Sequence, residues 1–222
     1  MPAHHSLPTI KAVVFDLDGL MVNTEDIFNE VGHEVLRRRG KVLTPELLSQ
    51  MMGRRAPEAF QYLVDAHGLT ETVEELLDES RVLFQALAVE RLATMPGLLE
   101  LLSHIEGLQL RKGVATSSGR TYLEEILGRF DLQPRFHVTL AAEDVTHGKP
   151  HPEIYLTAAE RLEVSPGEML VLEDSHAGTT AGVQANAIVV SVPTVHSRYQ
   201  DFSHAWGIAE RLDDPQILSL LR

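Results

Sequence analysis

VVFDLDGLMVNTE, residues 13–25, decides how the chain reads. A short apolar run ends in two acids one residue apart and then a glycine, the pattern of a buried strand with carboxylates at its carboxyl end. Side chains alternate along a strand, so Asp16 and Asp18 project to one side as the chain leaves the sheet, and Gly19 permits a sharp turn. Two carboxylates that close repel each other unless a cation lies between them or one holds a proton. Taken alone, the pair also fits a solvated loop or a helix cap.

The flanking sequence supplies a sheet for that strand. The runs at 10–16, LRKGVAT (110–116), EMLVLED (168–174) and AIVVSV (187–192) read as short buried strands, with RFHVTLA (135–141) as a fifth. Between them lie PGLLELLSHIE (96–106), RTYLEEILGRF (120–130) and PEIYLTAAERL (152–162), amphipathic and of helical length. Strands alternating with helices predict an α/β fold, a Rossmann-like core whose parallel sheet is covered on both faces. From about Ile27 to Thr94 the strand signal disappears. Ile27, Val31 and Val35 repeat every four residues, Thr44-Pro45-Glu46 reads as a helix start, and 71–92 reads as one or two helices. The expected division is therefore a core of residues 1–24 and 96–222 and an inserted all-helical cap domain of residues 25–95. Two connections join them and can act as a hinge.

Composition narrows the function. The chain of 222 residues is 44% apolar and 23% charged, as soluble globular proteins are, and no apolar run is long enough to span a bilayer. No membrane partner is expected. MPAHHSLPTIK lacks the features of a secretory signal, and there are no cysteines, so the expectation is a cytoplasmic protein whose metal ligands are oxygen or imidazole. A net charge of −13 argues against nucleic acid, and it would also repel a small anion unless a metal or local positive residues offset it.

Three further segments offer what an anion site needs. Thr116-Ser117-Ser118-Gly119 ends one strand and opens a helix, placing hydroxyls and backbone N–H groups where an anion can bind. Lys149, one of four lysines, precedes a helix in HGKPHPE, and Glu173-Asp174-Ser175 puts two more acids at a strand end. Each alone also fits an ordinary cap or a solvated loop. Together, four strand ends in chain order present carboxylates, hydroxyls, a lysine and carboxylates, at the edge where open α/β sheets bind ligands.

FDLDGLMVNTE, ATSSGR, GKPHPEIY and LEDSHAG, in that order and spacing, resemble the four motifs of the haloacid dehalogenase-like superfamily over nearly the whole chain. The resemblance is to the branch with a helical cap after the first motif, which includes sugar-phosphate phosphatases and β-phosphoglucomutases. It implies Asp16 as a nucleophile forming an aspartyl-phosphate and Asp18 as the general acid and base. It further implies Mg²⁺ held by Asp16, the backbone carbonyl of Asp18 and Asp174, with Glu173 as a ligand or support. Ser117 and Lys149 would hold the transferring phosphoryl group, and Thr116, Ser118 and Gly119 would line its site.

Within that superfamily, dehalogenases and phosphonatases lack the second acid, and phosphonatases also need a cap lysine. Here Asp18 is present and the insertion holds only Lys41. Mutases carry a cap histidine and an arginine three residues after a cap glycine, where this chain has Phe28 and Ala56. Gly53, Arg54 and Arg55 can still meet a substrate anion, or the two arginines can lie on a solvated loop. Asn23 stands where relatives commonly have aspartate. The expectation is a monomeric Mg²⁺-dependent phosphatase acting on a small phosphorylated metabolite, probing a phosphosugar first. A hexose-phosphate mutase and a catalytically silent phosphate-binding module remain as alternatives.

Overall fold

The structure, a computed structural model, describes residues 9–51 and 54–221. Strand β1 (Ala12–Phe15) lies at the centre of a sheet, between β2 (Arg111–Ala115) and β4 (Met169–Glu173). β3 (Val138–Leu140) flanks β2, and β5 (Ile188–Ser191) and β6 (Gly207–Ile208) continue beyond β4. The order is β3-β2-β1-β4-β5-β6 and every pair is parallel. The first strand's neighbours thus come from distant parts of the sequence, which brings their carboxyl ends together at one edge.

Alternation along β1 sorts its residues between two apolar layers. Val13 and Phe15 pack with Leu98, Leu101, Leu102 and Ile105 of α5 (Leu98–Gly107) and with Leu123 of α6 (Arg120–Arg129). Ala12 and Val14 face Ile154, Tyr155 and Ala158 of α7 (Glu153–Arg161) and Ala181 of α8 (His176–Gln184). Every residue of β1 is buried, as expected for a central parallel strand with helices on both faces. A short helix, α9 (Pro215–Leu220), ends the described chain.

Between β1 and α5 run four helices: α1 (Thr24–Arg37), α2 (Pro45–Met51), α3 (Ala56–His67) and α4 (Val73–Arg91). The four-residue repeat of Ile27, Val31 and Val35 becomes the buried face of α1, which packs on α4. Residues 73–91 form one helix, started by a capping box in which Glu75 N–H donates to Thr72 and Thr72 N–H donates to the Glu75 carboxylate. Several elements differ from the sequence reading in extent. The third strand occupies only 138–140 of RFHVTLA, and α1 starts three residues before Ile27.

The two connections to this helical segment run side by side. Val22 bridges Thr94 in antiparallel fashion, Met95 N–H donates to Met21 O at 2.8 Å, and Asn23 N–H donates to Ala93 O at 3.1 Å. Asn23 closes the same joint with its side chain, accepting from Ala93 N–H at 2.7 Å and donating to Arg91 O at 3.0 Å. The amide does both through its two ends, whereas an ionised carboxylate only accepts. An aspartate would turn an anionic oxygen toward the Arg91 carbonyl. Asn23→Asp is expected to lower the unfolding free energy by about 1 kcal/mol in urea titration; an unchanged midpoint would show that the side-chain staple is idle.

Candidate active site

Asp16 follows the last residue of β1 and Asp174 the last of β4, while Glu173 ends β4. Their carboxylates each offer an oxygen within 4.8 Å of the others, and none of the three residues is more than 7% exposed. Lys149 enters from the loop before α7, itself 3% exposed, and donates to Asp16 Oδ1 at 2.5 Å, Glu173 Oε1 at 2.6 Å and Ala115 O at 3.0 Å. The loop is anchored by Glu153, which accepts from the N–H groups of Thr146 and His147. One lysine set among three buried carboxylates would leave a surplus of negative charge if all three were ionised.

Burial and mutual repulsion oppose that ionisation. Burial pushes Asp16 well above the usual carboxylate range, against the pull of Lys149, with Glu173 and Asp18 adding to the rise. Asp174 is raised by burial and then by Glu25 and Asp16. Glu25, beside it on α1, is pushed up to about 8 by burial and then by the Asp18 charge. Burial alone would lower Lys149, yet the charges of Asp16 and Glu173 hold it well above its ordinary value. Paired acids that resist ionising together become stable when a cation joins them.

The donor set fits such a cation. Asp174 Oδ2 is buried and has no hydrogen-bond partner. Gly19, at φ +79°, lies so close that a side chain there would overlap the Asp174 carboxylate and Glu25; only glycine lets the backbone approach. Hard oxygen ligands on this scale suit Mg²⁺. Glu173 is engaged differently. Its Oε1 accepts from Lys149 and from Tyr155 Oη at 2.7 Å, and its Oε2 from Ser175 Oγ at 3.0 Å and the N–H groups of Asp174 and Ser175.

Asp18 stands apart from this cluster. Its Oδ2 accepts from Ser118 Oγ at 2.7 Å and Thr116 Oγ1 at 3.2 Å, and its Oδ1 from Tyr122 Oη at 2.8 Å. The hydroxyls of Thr116 and Ser118, expected to line an anion site, therefore face the second acid. Ser117 lies half-buried between them, and Gly119 precedes the first residue of α6. One N–H group at that helix start, that of Arg120, already donates to the Glu143 carboxylate. Thr24 Oγ1 accepts from Gly19 N–H at 3.2 Å, which ties the start of α1 to the turn between the acids and the helix.

The cap residues depart most from expectation. Gly53 lies outside the described residues. Arg54 is exposed and donates from Nε to Gln50 O. Arg55, expected to meet a substrate anion, donates from its Nη atoms to the carbonyls of Ala142, Val145 and Thr146, so it ties the helical segment to the loop that leads to Lys149. Guanidinium groups on long side chains reach either way, and the three carbonyls of this loop converge on Arg55. His147 and His151 are exposed, ring against ring. Phe28, at the position where mutases have a histidine, stacks on Phe84.

Tyr155 and Tyr122 were not singled out from the sequence, although both touch the site. A tyrosine on the apolar face of a helix is a signal of a kind, since its hydroxyl needs a partner when buried. Tyr155 has none of its surface exposed.

Residues 13–192 match the family model described as haloacid dehalogenase-like hydrolase. The chain belongs to that family. It is 33% identical over 180 residues to the phosphorylated carbohydrates phosphatase of Thermotoga maritima, covering 79% of this chain and 82% of that protein. It is likewise 33% identical over 186 residues to the validoxylamine A 7'-phosphate phosphatase of Streptomyces hygroscopicus subsp. limoneus, covering 84% and 87%. The crystal structure of CbbY from Rhodobacter sphaeroides in complex with phosphate superimposes with a TM-score of 0.83 at 24% identity, over 96% of this chain and 99% of that one, which establishes the shared fold. Family and relatives together make the chain a phosphoric monoester hydrolase of the haloacid dehalogenase-like type.

Tyr155→Phe removes one of two donors to Glu173 Oε1 while keeping the ring. It is expected to cost about 1–2 kcal/mol in urea unfolding, and a loss below about 0.3 kcal/mol would contradict the role given to that hydroxyl.

Proposed function

We propose that the protein is a Mg²⁺-dependent phosphatase that hydrolyses a small phosphate monoester, a phosphosugar, through an aspartyl-phosphate on Asp16. The observation that carries this reading is the buried set of Asp16, Glu173 and Asp174 around a single lysine, with Asp174 Oδ2 left without a partner. Asp16, Asp174 and the backbone carbonyl of Asp18 would hold the ion. Glu173, whose oxygens already accept from five donors, supports the site by fixing Lys149 and the turn at Ser175. When bound, Mg²⁺ would neutralise charge on the nucleophile and the phosphoryl oxygens.

The side chains take the remaining work. Asp16 attacks phosphorus and forms the acyl phosphate as the phosphorus–oxygen bond to the alcohol breaks. Asp18 gives a proton to the departing oxygen and then takes one from the water that hydrolyses the intermediate. Lys149 holds Asp16 in place and offsets charge on the transferring group, and Ser117 donates to a phosphoryl oxygen. Residues 25–95 act as a cap on the core of 1–24 and 96–222, closing over the site to exclude water, with the paired connections at 21–23 and 93–95 as the hinge.

The relatives named above are phosphatases of phosphorylated carbohydrates and of validoxylamine A 7'-phosphate, and the first of these supports a phosphosugar here. Phe28 and Ala56 favour hydrolysis over mutase chemistry, since neither can meet a second phosphate. The same reading has the enzyme work as a cytoplasmic monomer. No helix among the described residues is long and apolar enough to cross a membrane.

The test is phosphate release from a panel of sugar phosphates, nucleotides and small phosphorylated acids, with Mg²⁺ or EDTA, following β-glucose 1-phosphate also for conversion to glucose 6-phosphate. Release that needs Mg²⁺ and falls at least about 1,000-fold in Asp16→Asn is expected. Isomer conversion without release would make the protein a mutase, and silence across the panel would favour a phosphate-binding module.

A further inference from the structure

Tyr122 belongs to none of the four motifs, yet it makes a direct hydrogen bond to the second acid. Its hydroxyl donates to Asp18 Oδ1 at 2.8 Å, while the two hydroxyls on Oδ2 both come from the loop between β2 and α6. A phenol donating to a carboxylate is a charge-assisted bond, shorter and stronger than a neutral one. It fixes the rotation of a side chain that must first face a leaving oxygen and then a water.

The ring of Tyr122 has a second set of partners. Its centroid is 5.7 Å from that of Phe84 on α4, edge-on at 63°, and 6.0 Å from that of Phe28 on α1. Phe28 and Phe84 are themselves stacked at 4.6 Å. Tyr122 is therefore held by the helical insertion through its ring while it holds Asp18 through its hydroxyl. Thr116 and Ser118, the other two donors, sit on the core, so among the three hydroxyls that of Tyr122 is the one whose ring rests on these two insertion aromatics. Aromatic pairs of this geometry prefer particular offsets, and a shift of α1 and α4 changes the ring's position.

We propose that Tyr122 is a positioning residue for Asp18, setting the orientation of the acid and base and tying it to the position of the helical insertion. This rests on the reading of Asp18 as the general acid. Its effect falls on proton delivery to the leaving group. A sugar alkoxide needs that proton, whereas 4-nitrophenolate leaves without it.

Tyr122→Phe keeps the ring and removes only the hydroxyl. With the best sugar phosphate of the panel, kcat is expected to fall about 10-fold with KM within about 2-fold. The pre-steady-state burst of 4-nitrophenolate from 4-nitrophenyl phosphate should change less than about 2-fold, because that step needs no acid. Equal losses on both substrates, or none on either, would overturn the proposal. Asp18→Asn serves as the reference: it should show the same selectivity for the sugar phosphate, more strongly. If it does not, or if the wild type turns over neither substrate, the acid assignment fails and the proposal with it. The tie to the insertion is read from Phe28→Leu, which should lower the same kcat severalfold alone and little further in combination with Tyr122→Phe; losses that multiply would overturn that half.

Discussion

Three buried carboxylates share one ammonium, and the rest of the site is arranged around that imbalance. Lys149 reaches Asp16 and Glu173, Tyr155 and Ser175 also donate to Glu173, and Asp174 keeps one oxygen free of any hydrogen-bond partner. Leaving a charge buried and unpaired is among the costliest features a fold can carry, so its presence signals either a proton or a cation. The parallel sheet makes the arrangement possible. β1 and β4 are hydrogen-bonded neighbours in register, with Phe15 beside Leu172, and so the residues that follow each strand emerge side by side. Gly19 completes the enclosure by letting the backbone come within contact of Asp174.

The helical insertion meets this centre at three places of different character. At the paired connections, Asn23 supplies both a donor and an acceptor and so sets how the two crossings lie. At the loop before Lys149, Arg55 gathers three carbonyls of the core. Beside Asp18, the rings of Phe28, Phe84 and Tyr122 form an aromatic contact between insertion and core. The joint connects insertion and core through the backbone, and the other two contacts pack the insertion on the core. The loop of Lys149 and the second acid, Asp18, are thus each linked to the same segment.

Much of this was legible from residue order. The strands at 12–15, 111–115, 169–173 and 188–191 are short apolar runs between turn residues, and parallel strands buried on both faces advertise themselves in that way. Asp16 and Asp174 are legible because each directly follows an apolar strand, and Lys149 because its loop precedes a helix. β6, two residues in HAWGIAE, has no such pattern and is defined only by its pairing with β5. Arg55 reads as a candidate for a substrate anion because sequence gives charge without direction, and in the fold its guanidinium donates to backbone carbonyls about 90 residues away. Tyr122 and Tyr155 were hidden for a related reason. In each the helix pattern accounts for the ring, and only the folded arrangement brings a carboxylate to the hydroxyl.

We propose that Asp16, at the end of the central strand and gripped by Lys149, accepts the phosphoryl group. Mixing the enzyme with a preferred substrate and Mg²⁺, quenching in acid within the first turnover and mapping the modified peptide by mass spectrometry tests it most directly. A phosphoryl group on Asp16, absent in Asp16→Asn and lost on treatment with hydroxylamine, is the predicted result. Full-rate turnover with no covalent adduct at any time, or an adduct on another residue, would contradict the account.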